Sequence, residues 1–284
     1  MKQRNDYYNS SVLKARTANI FKYIVLILYS LTTIYPLIWV ILTSLKESGD
    51  IYNNPFGLPS VWKFGNYVQV LIGVKILPAL LNTFFYSIVS TAIVILLSFM
   101  TAYMLARIYT KPLFYIYFTL GIMIPIHAII VPLYSMMNKL NLVDTRTGII
   151  LIYVALNLSF SIFILVPFMR NVPKEIEEAA MIDGANIPRI AFTVVLPIVK
   201  PGLATIGTFT FINCWNDFLV ALIMATIPQL KTINLAVFNL RGLYMLDFGL
   251  MSAGLAWVII PVAIIYVIFQ EQVIKGLTAG AVKG

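Results

Sequence analysis

The sequence has little of the usual chemistry for catalysis or metal binding. Among its 284 residues there is one cysteine, Cys214, and one histidine, His127. A single cysteine excludes a disulfide framework or cysteine metal site, and a single histidine excludes a histidine zinc cluster. There is no phosphate-binding loop, no span with paired carboxylates and no convincing Ser-His-Asp set. We therefore predict no catalytic site and no cofactor or metal.

Charged residues are also scarce, at 11% of the chain, whereas hydrophobic residues make up 60%. Soluble domains average about 25% charged and about 45–50% apolar residues. Because a soluble domain of this size still presents a large surface to water, this composition excludes a soluble enzyme, a disordered chain and a coiled coil. The formal charge of +9 then indicates basic loops beside a lipid bilayer, with no nucleic-acid partner.

Six apolar stretches are long enough to form spanning helices, each of which needs about 20 residues. They predict an all-α membrane protein with six transmembrane helices. The expected organisation is an N-terminal segment 1–22, a transmembrane domain 23–270 and a C-terminal tail 271–284. The first stretch runs too long and lacks a cleavage site, so we do not expect a signal peptide. The predicted spans are residues 23–45, 80–106, 112–138, 147–169, 201–230 and 248–270.

The basic residues predict that both termini are cytoplasmic. With the N terminus inside, the inner segments hold 13 Lys and Arg residues and the outer loops hold 7, which agrees with the excess of positive charge expected in cytoplasmic loops. The long outer loops are then 46–79 and 226–247, and the longest inner loop is 171–200.

The inner loop 171–200 has the pattern of two short helices and not of disorder, since its apolar residues recur at helical spacing. Pro173 fits a first helical position, and Asp183-Gly184 is a stop and turn signal. A second short helix is predicted at about 187–195. The loop is therefore expected to form a helix–turn–helix with a small, polar exposed face. This face suits docking into a protein groove, although an ordinary amphipathic surface hairpin would give the same pattern.

A family resemblance bears on this choice. The loop reads Glu178-Ala179-Ala180, then Asp183-Gly184-Ala185, then Leu196-Pro197, which resembles the "EAA" loop of ABC-importer permeases. The likeness covers most of the chain and is closest to the carbohydrate-uptake permeases, with an ending similar to that of the G-type subunit of maltose-like importers. Further matching residues are Asn66-Tyr67, Asn82-Thr83, Ala102-Tyr103, Ala106-Arg107, Trp215-Asn216-Asp217-Phe218 and Gly276 to Gly284.

The resemblance implies the type I ABC importer permease fold, with a cytoplasmic coupling helix, in a bacterial cytoplasmic membrane. The chain would form a translocation path with a second, homologous permease. Two ATP-binding subunits and an extracytoplasmic solute-binding protein would complete the importer, and the substrate would be a di- or oligosaccharide. An ion-coupled secondary transporter and an ABC permease for a non-sugar solute remain as alternatives.

The resemblance also implies roles for particular residues. The loop would couple to the ATPase through Glu178, Ala179, Ala180, Asp183, Gly184 and Ala185. The glycine-rich tail, with Gly280 and Lys283, would either contact the ATPase or form a frayed terminus.

Asp217 is the one acidic residue within a predicted span, and intramembrane charges usually face a cavity or a partner. With Asn213 and Asn216 it would lie on the translocation path or at the contact with the second permease. The alternative is a structural group that is hydrogen-bonded within the bundle. His127 is expected to be a packed, hydrogen-bonded histidine and not a proton relay.

Overall fold

A computed structural model describes residues 2–73, 76–243 and 247–281, with side chains for residues 19–73, 76–240 and 247–271. Every regular element within these ranges is a helix, which confirms the predicted all-α fold. The chain forms two compact units, which are Met1–Val70 with Tyr244–Ala256, and Leu71–Leu243 with Trp257–Gly284.

Fourteen α-helices are described, with short π-helical or 3₁₀ turns between some of them. The first unit contains α1 (Lys2–Ser44), α2 (Ser48–Asn53) and α3 (Gly65–Val68), and the last helix, α14 (Phe248–Ala281), begins in it. The second unit contains α4 (Leu77–Arg107), α5 (Pro112–Thr119), α6 (Ile126–Lys139), α7 (Arg146–Arg170), α8 (Lys174–Ile182), α9 (Ile187–Arg189), α10 (Leu196–Ile198), α11 (Lys200–Asn216), α12 (Leu219–Met224) and α13 (Ile233–Leu243).

Four continuous helices in the described ranges are long and apolar enough to cross a membrane. Two further spans are available if each of two bent helix pairs crosses as one unit, and this gives the six that the sequence predicts. The continuous candidates are Asn19–Ser44, Leu77–Arg107, Arg146–Arg170 and Phe248–Glu271.

The predicted third span, 112–138, is a bent pair and not one straight helix. Its halves, Pro112–Met123 and Ile126–Lys139, meet at 93°. Ile124 is extended, with φ −86° and ψ 109°, because the ring of Pro125 disfavours helical geometry in the residue before it.

The predicted fifth span, 201–230, has different bounds in the structure. Ile187–Ile198 and Lys200–Asn216 form the second bent pair, at an angle of 80°. Helix α11 ends at Asn216 because Asp217 is extended, with φ −63° and ψ 136°. The chain then continues as the separate short helix α12, so 201–230 is not a single span.

Helices α4, α7 and α11 pack together at the centre of the second unit, and small polar side chains line their contacts. Lipid tails are as apolar as leucine, so close packing of small residues drives association of helices in a membrane. Ser161 of α7 is fully buried, and its Oγ lies 3.5 Å from Oγ1 of Thr210 on α11. Other small polar residues that are fully buried are Ser87, Ser90, Ser98 and Thr205.

Helix α7 carries a proline near its end. Pro167 lies inside this helix and has no N–H to bond the carbonyl of Phe163, one turn earlier. The hydroxyl of Tyr115, on α5, donates to that carbonyl at 3.4 Å. A side chain from α5 therefore supplies a hydrogen bond to the carbonyl that Pro167 cannot bind.

In the first unit, the residues that follow α1 are held by hydrogen bonds to backbone oxygens. Nζ of the buried Lys46 donates to the carbonyl of Asn54 at 2.6 Å. The Nδ2 of Asn66 donates to the carbonyls of Ser44 and Lys46, at 2.9 and 3.0 Å. The Asn66-Tyr67 match in the sequence therefore lies in the packing of this unit, where the Tyr67 hydroxyl is 2.7 Å from Ser44 Oγ.

Replacing Ser161 with leucine should destabilise the second unit by about 1–3 kcal/mol, because a larger side chain has no space between α7 and α11. Phe163→Leu is the matched control, because Phe163 lies on the same helix and is 43% exposed. The thermal unfolding midpoint in detergent measures both effects. An S161L midpoint equal to that of the wild type would contradict the tight packing.

Candidate functional site

The inner loop of the sequence forms a helical hairpin, which we define as residues 173–195. Helix α8 begins directly after Pro173 and has Glu175 and Glu177 in its first turn, where the helix dipole favours negative charge. A second helical segment starts with α9 at Ile187 and continues as a π-helical turn to Val195. The predicted two short helices are therefore present at the predicted positions.

The turn of the hairpin is built around Gly184. Its φ of +81° lies in the left-handed region, which glycine adopts without a steric penalty. The N–H of Gly184 donates to the carbonyl of Met181, and the N–H of Ala185 donates to that of Ala180, both at 3.0 Å. These two bonds form a Schellman motif, which satisfies the last carbonyls of α8. Asn186 then caps α9 by accepting a hydrogen bond from the N–H of Arg189 at 3.0 Å.

The residues named for coupling fall into two groups by exposure. Glu178, Ala179, Asp183 and Gly184 are exposed, whereas Ala180 and Ala185 are half-buried and pack against the core. The exposed face is less polar than the sequence pattern predicts, because Ile182 is 87% exposed. Large apolar side chains that are also exposed on the hairpin are Ile176, Met181, Ile187 and Phe192.

Sequence reasoning missed the buried charge that attaches this hairpin to the bundle. The carboxylate of Glu177 accepts hydrogen bonds from Arg107 Nε at 2.5 Å and from the Tyr103 hydroxyl at 3.0 Å. Arg107 Nη2 also donates to the carbonyl of Val172 at 2.8 Å. The side chains of Arg107 and Glu177 are only 11% and 5% exposed. The spacing of Tyr103 and Arg107 places them on one helix face, but it does not indicate Glu177, which is 70 positions from Arg107.

Asp217 takes part in a compact turn between α11 and α12. Its carboxylate accepts hydrogen bonds from the backbone N–H of Val220 at 3.2 Å and of Ala221 at 3.0 Å, and from the Tyr153 hydroxyl at 2.9 Å. The Nδ2 of Asn234 donates to the Asp217 carbonyl at 3.2 Å. This geometry favours the structural alternative for Asp217, because its carboxylate caps the first turn of α12.

The other candidate residues are more loosely connected. Asn213 is exposed and donates through Nδ2 to Oδ1 of Asn157 at 3.1 Å, and Asn216 is exposed at the end of α11. His127 is exposed on α6, so it is not the packed residue that we expected. Gly280 lies in the last turn of α14, and Lys283 lies outside the described residues.

The N-terminal half of α4 contacts the segment 226–233, which follows α12. Asn82 Nδ2 donates to the carbonyls of Gln229 and Lys231, at 2.7 and 3.2 Å. Thr83 Oγ1 accepts from the N–H of Ile233 at 2.8 Å, and the Tyr86 hydroxyl donates to the carbonyl of Leu230 at 3.2 Å. The Asn82-Thr83 pair of the sequence therefore anchors this segment.

Asp144 holds the beginning of the same segment. Its carboxylate accepts hydrogen bonds from the Thr226 N–H at 2.6 Å, the Thr226 hydroxyl at 2.5 Å and the Ile227 N–H at 3.2 Å. Partial burial raises the pKa of this carboxyl, but the Thr226 and Ile227 hydrogen bonds outweigh it and leave the pKa below its usual range.

In the part of the chain that the structure describes, no group of three or more His, Cys, Asp or Glu side chains could hold a metal ion.

The comparisons with known proteins agree with this architecture. A family of binding-protein-dependent transport system inner membrane components matches residues 94–278, and the chain belongs to this family. The chain is 35% identical over 259 residues to the diacetylchitobiose uptake system permease protein NgcG of Streptomyces coelicolor, covering 90% of this chain and 86% of that protein. It is 37% identical to the sulfoquinovosyl glycerol transport system permease protein SmoH of Agrobacterium fabrum, covering 88% and 89%.

A solved structure gives the same result for the fold. The crystal structure of a bacterial ABC transporter involved in the import of the acidic polysaccharide alginate matches with a TM-score of 0.79 and 26% identity. The match covers 90% of this chain and 96% of that chain. The predicted resemblance to ABC-importer permeases is therefore confirmed, and the chain is a multi-pass membrane protein.

Gly184→Val should destabilise the hairpin turn by about 1–2 kcal/mol, because a left-handed backbone is costly for a residue other than glycine. The space beside Gly184 is open, with nothing within 4 Å of an added Cβ, so the effect comes from the backbone alone. Gly184→Asn is the matched control, because asparagine tolerates this conformation. Hydrogen exchange of the hairpin amides measures both variants, and equal exchange in G184V and G184N would contradict the prediction.

Asp144 should make stability fall at acidic pH. Its pKa is lower in the folded protein than in the unfolded chain, so its contribution is present above the unfolded value of about 3.9 and is lost as the pH falls through the folded value. Unfolding midpoints of the wild type and Asp144→Asn, measured in detergent from pH 6 downward, should converge at the acidic end. Parallel curves for the two proteins would contradict this assignment.

Proposed function

We propose that the chain is a transmembrane permease subunit of an ATP-driven sugar importer. The observation that carries this proposal is the hairpin, since Glu178, Ala179, Asp183 and Gly184 are exposed around its turn in a chain that belongs to the family. Such a surface fits a docking partner. The proposed partners are separate ATP-binding subunits, and a second homologous permease would complete the translocation path.

The substrate is proposed to be a di- or oligosaccharide. The relatives named above are permease proteins of a diacetylchitobiose uptake system and of a sulfoquinovosyl glycerol transport system, and the solved structure is of an ABC transporter involved in the import of alginate. All three substrates contain sugar units, although they differ in size and charge. An extracytoplasmic solute-binding protein would select the sugar and deliver it to the outer loops.

The proposed orientation places both termini and the hairpin in the cytoplasm. It rests on the distribution of Lys and Arg between the two sets of loops. The hairpin would then face the ATP-binding subunits, where Ala179 and Gly184 permit close approach and Ile182 supplies apolar contact area. Gly280 and Lys283 are further proposed contacts with those subunits.

In the proposed mechanism, closure of the ATPase dimer on ATP displaces the two docked permeases as rigid bodies. The hairpin can transmit movement only while it stays bound to the ATP-binding subunit. Weakening that contact would therefore uncouple ATP hydrolysis from transport. Within the chain, Ala180 and Ala185 support the hairpin against the core, and the Schellman turn fixes the angle between its two helical segments.

A gentle detergent pull-down of the tagged protein from its native membrane tests the assembly. We expect a second permease and a P-loop ATPase to co-purify, after which the solute-binding protein can be screened against sugars. A chain that stays alone under conditions that preserve known complexes, and that carries solute in liposomes without ATP, would overturn the proposal in favour of ion-coupled transport.

Glu178→Lys should reduce co-purification of the ATP-binding subunit, because it reverses the charge of an exposed side chain on the docking face. The control is Asn138→Lys, which introduces a lysine at an exposed position outside the hairpin, near the end of α6. The measurement is the molar ratio of ATPase to permease after affinity purification. An E178K ratio equal to that of N138K would remove Glu178 from the proposed interface.

A further inference from the structure

The inference concerns how movement of the hairpin reaches the opposite end of the second unit, and it rests on the proposed function. Helix α4 is continuous for 31 residues, which corresponds to about 46 Å at about 1.5 Å per residue. Its only proline, Pro78, lies in the first turn, where proline is tolerated. Beyond that turn α4 contains no proline or glycine at which it would kink.

At its C-terminal end, α4 is attached to the hairpin by directional bonds. Tyr103 and Arg107 are one turn apart and bind the two different oxygens of the Glu177 carboxylate, at 3.0 and 2.5 Å. Because two points on α4 hold one carboxylate on α8, α8 cannot slide or rotate on α4 without breaking a buried ion pair. We refer to Tyr103, Arg107 and Glu177 as the carboxylate clamp.

At its N-terminal half, α4 is attached to the segment 226–233 by a second set of directional bonds. Asn82, Thr83 and Tyr86 supply four hydrogen bonds to backbone groups of this segment. These three side chains are almost fully buried, with exposures of 5%, 1% and 0%. A displacement of α4 along its axis must therefore move the segment or break these bonds.

The other connections of the hairpin are less suited to carrying movement. Helix α7 leads into the hairpin, but Pro167 interrupts its hydrogen bonding in the last turn. Helix α11 leads away from it across an 80° bend, after a π-helical turn. The apolar contacts of the hairpin with the core are non-directional, so they resist separation better than they resist sliding. The residues that make them include Ala180, Ala185, Ile190, Ala191 and Val195.

We propose that the carboxylate clamp is the link through which displacement of the hairpin is transmitted to α4, and through α4 to the segment 226–233. Tyr103, Arg107 and Glu177 are then positioning residues for coupling, distinct from the exposed residues that contact the ATPase. Breaking the clamp should leave the hairpin docked and ATP hydrolysis intact, while the far segment no longer responds to nucleotide.

Hydrogen exchange measured by mass spectrometry on the intact complex tests this link. The complex from the pull-down is compared without nucleotide and with MgATP plus vanadate, following backbone amides of 174–186 and of 226–233. The wild type should respond to nucleotide in both segments. Glu177→Gln should respond in 174–186 and lose the response in 226–233. Glu175→Gln is the matched control, because it removes an exposed charge from the same helix turn, and it should behave as the wild type.

A full wild-type response of 226–233 in E177Q would overturn the proposal, as would a wild type that responds only in 174–186. If E177Q does not assemble, Tyr103→Phe removes one clamp bond and leaves the ion pair. It should weaken the response of 226–233, and an unchanged response would count against the clamp. Failure of the proposed function looks different, because the wild type would then bind no ATPase or show no response in the hairpin, and the inference would fail with it.

Discussion

One buried ion pair attaches the first helix of the hairpin to α4, and the second segment is held separately by residues that are buried in the apolar core. Arg107 and Glu177 meet with almost no exposure to solvent, and removal of one partner from such a pair typically costs about 3–5 kcal/mol, because the other charge is left buried. The pair lies where the last turn of α4 meets the first turn of α8, so both helix dipoles favour the charge that is present. The exposed face of the hairpin can carry apolar side chains such as Ile182 because buried contacts hold the hairpin from beneath.

Other polar side chains of the second unit also hold together parts of the chain that are distant in sequence, by binding backbone groups. Asp144, Asp217 and Asn82 each bind backbone groups across a break between helices. In a membrane, every unsatisfied backbone group costs several kcal/mol, so irregular backbone persists only where such side chains bind it. In the described part of the second unit, Arg107, Asp144 and Asp217 therefore lie at helix ends and breaks, whereas the buried hydroxyl residues Ser90 and Ser161 lie inside α4 and α7.

Much of this architecture was predictable from the sequence. Charge-free stretches predict the four continuous spans to within a few residues. They do so because a helix that crosses the hydrocarbon core must be apolar along its whole length. Gly184 was recognisable as a turn, since its position after a helical pattern carries a local signal. The break at Asp217 was not foreseen, because a carboxylate in an apolar stretch does not reveal whether it caps a helix or faces a path. Glu177 was passed over because its partner is 70 positions away in the sequence, and no local pattern shows such a pairing.

The turn at Gly184 has a consequence for chirality. Its φ is positive and the space around its α-carbon is open, so the restriction at this position is one of handedness and not of volume. A D-amino acid prefers the conformation that an L-amino acid avoids there. A hairpin made by chemical ligation with D-alanine at position 184 would therefore keep the native turn and add a side chain to the proposed docking surface.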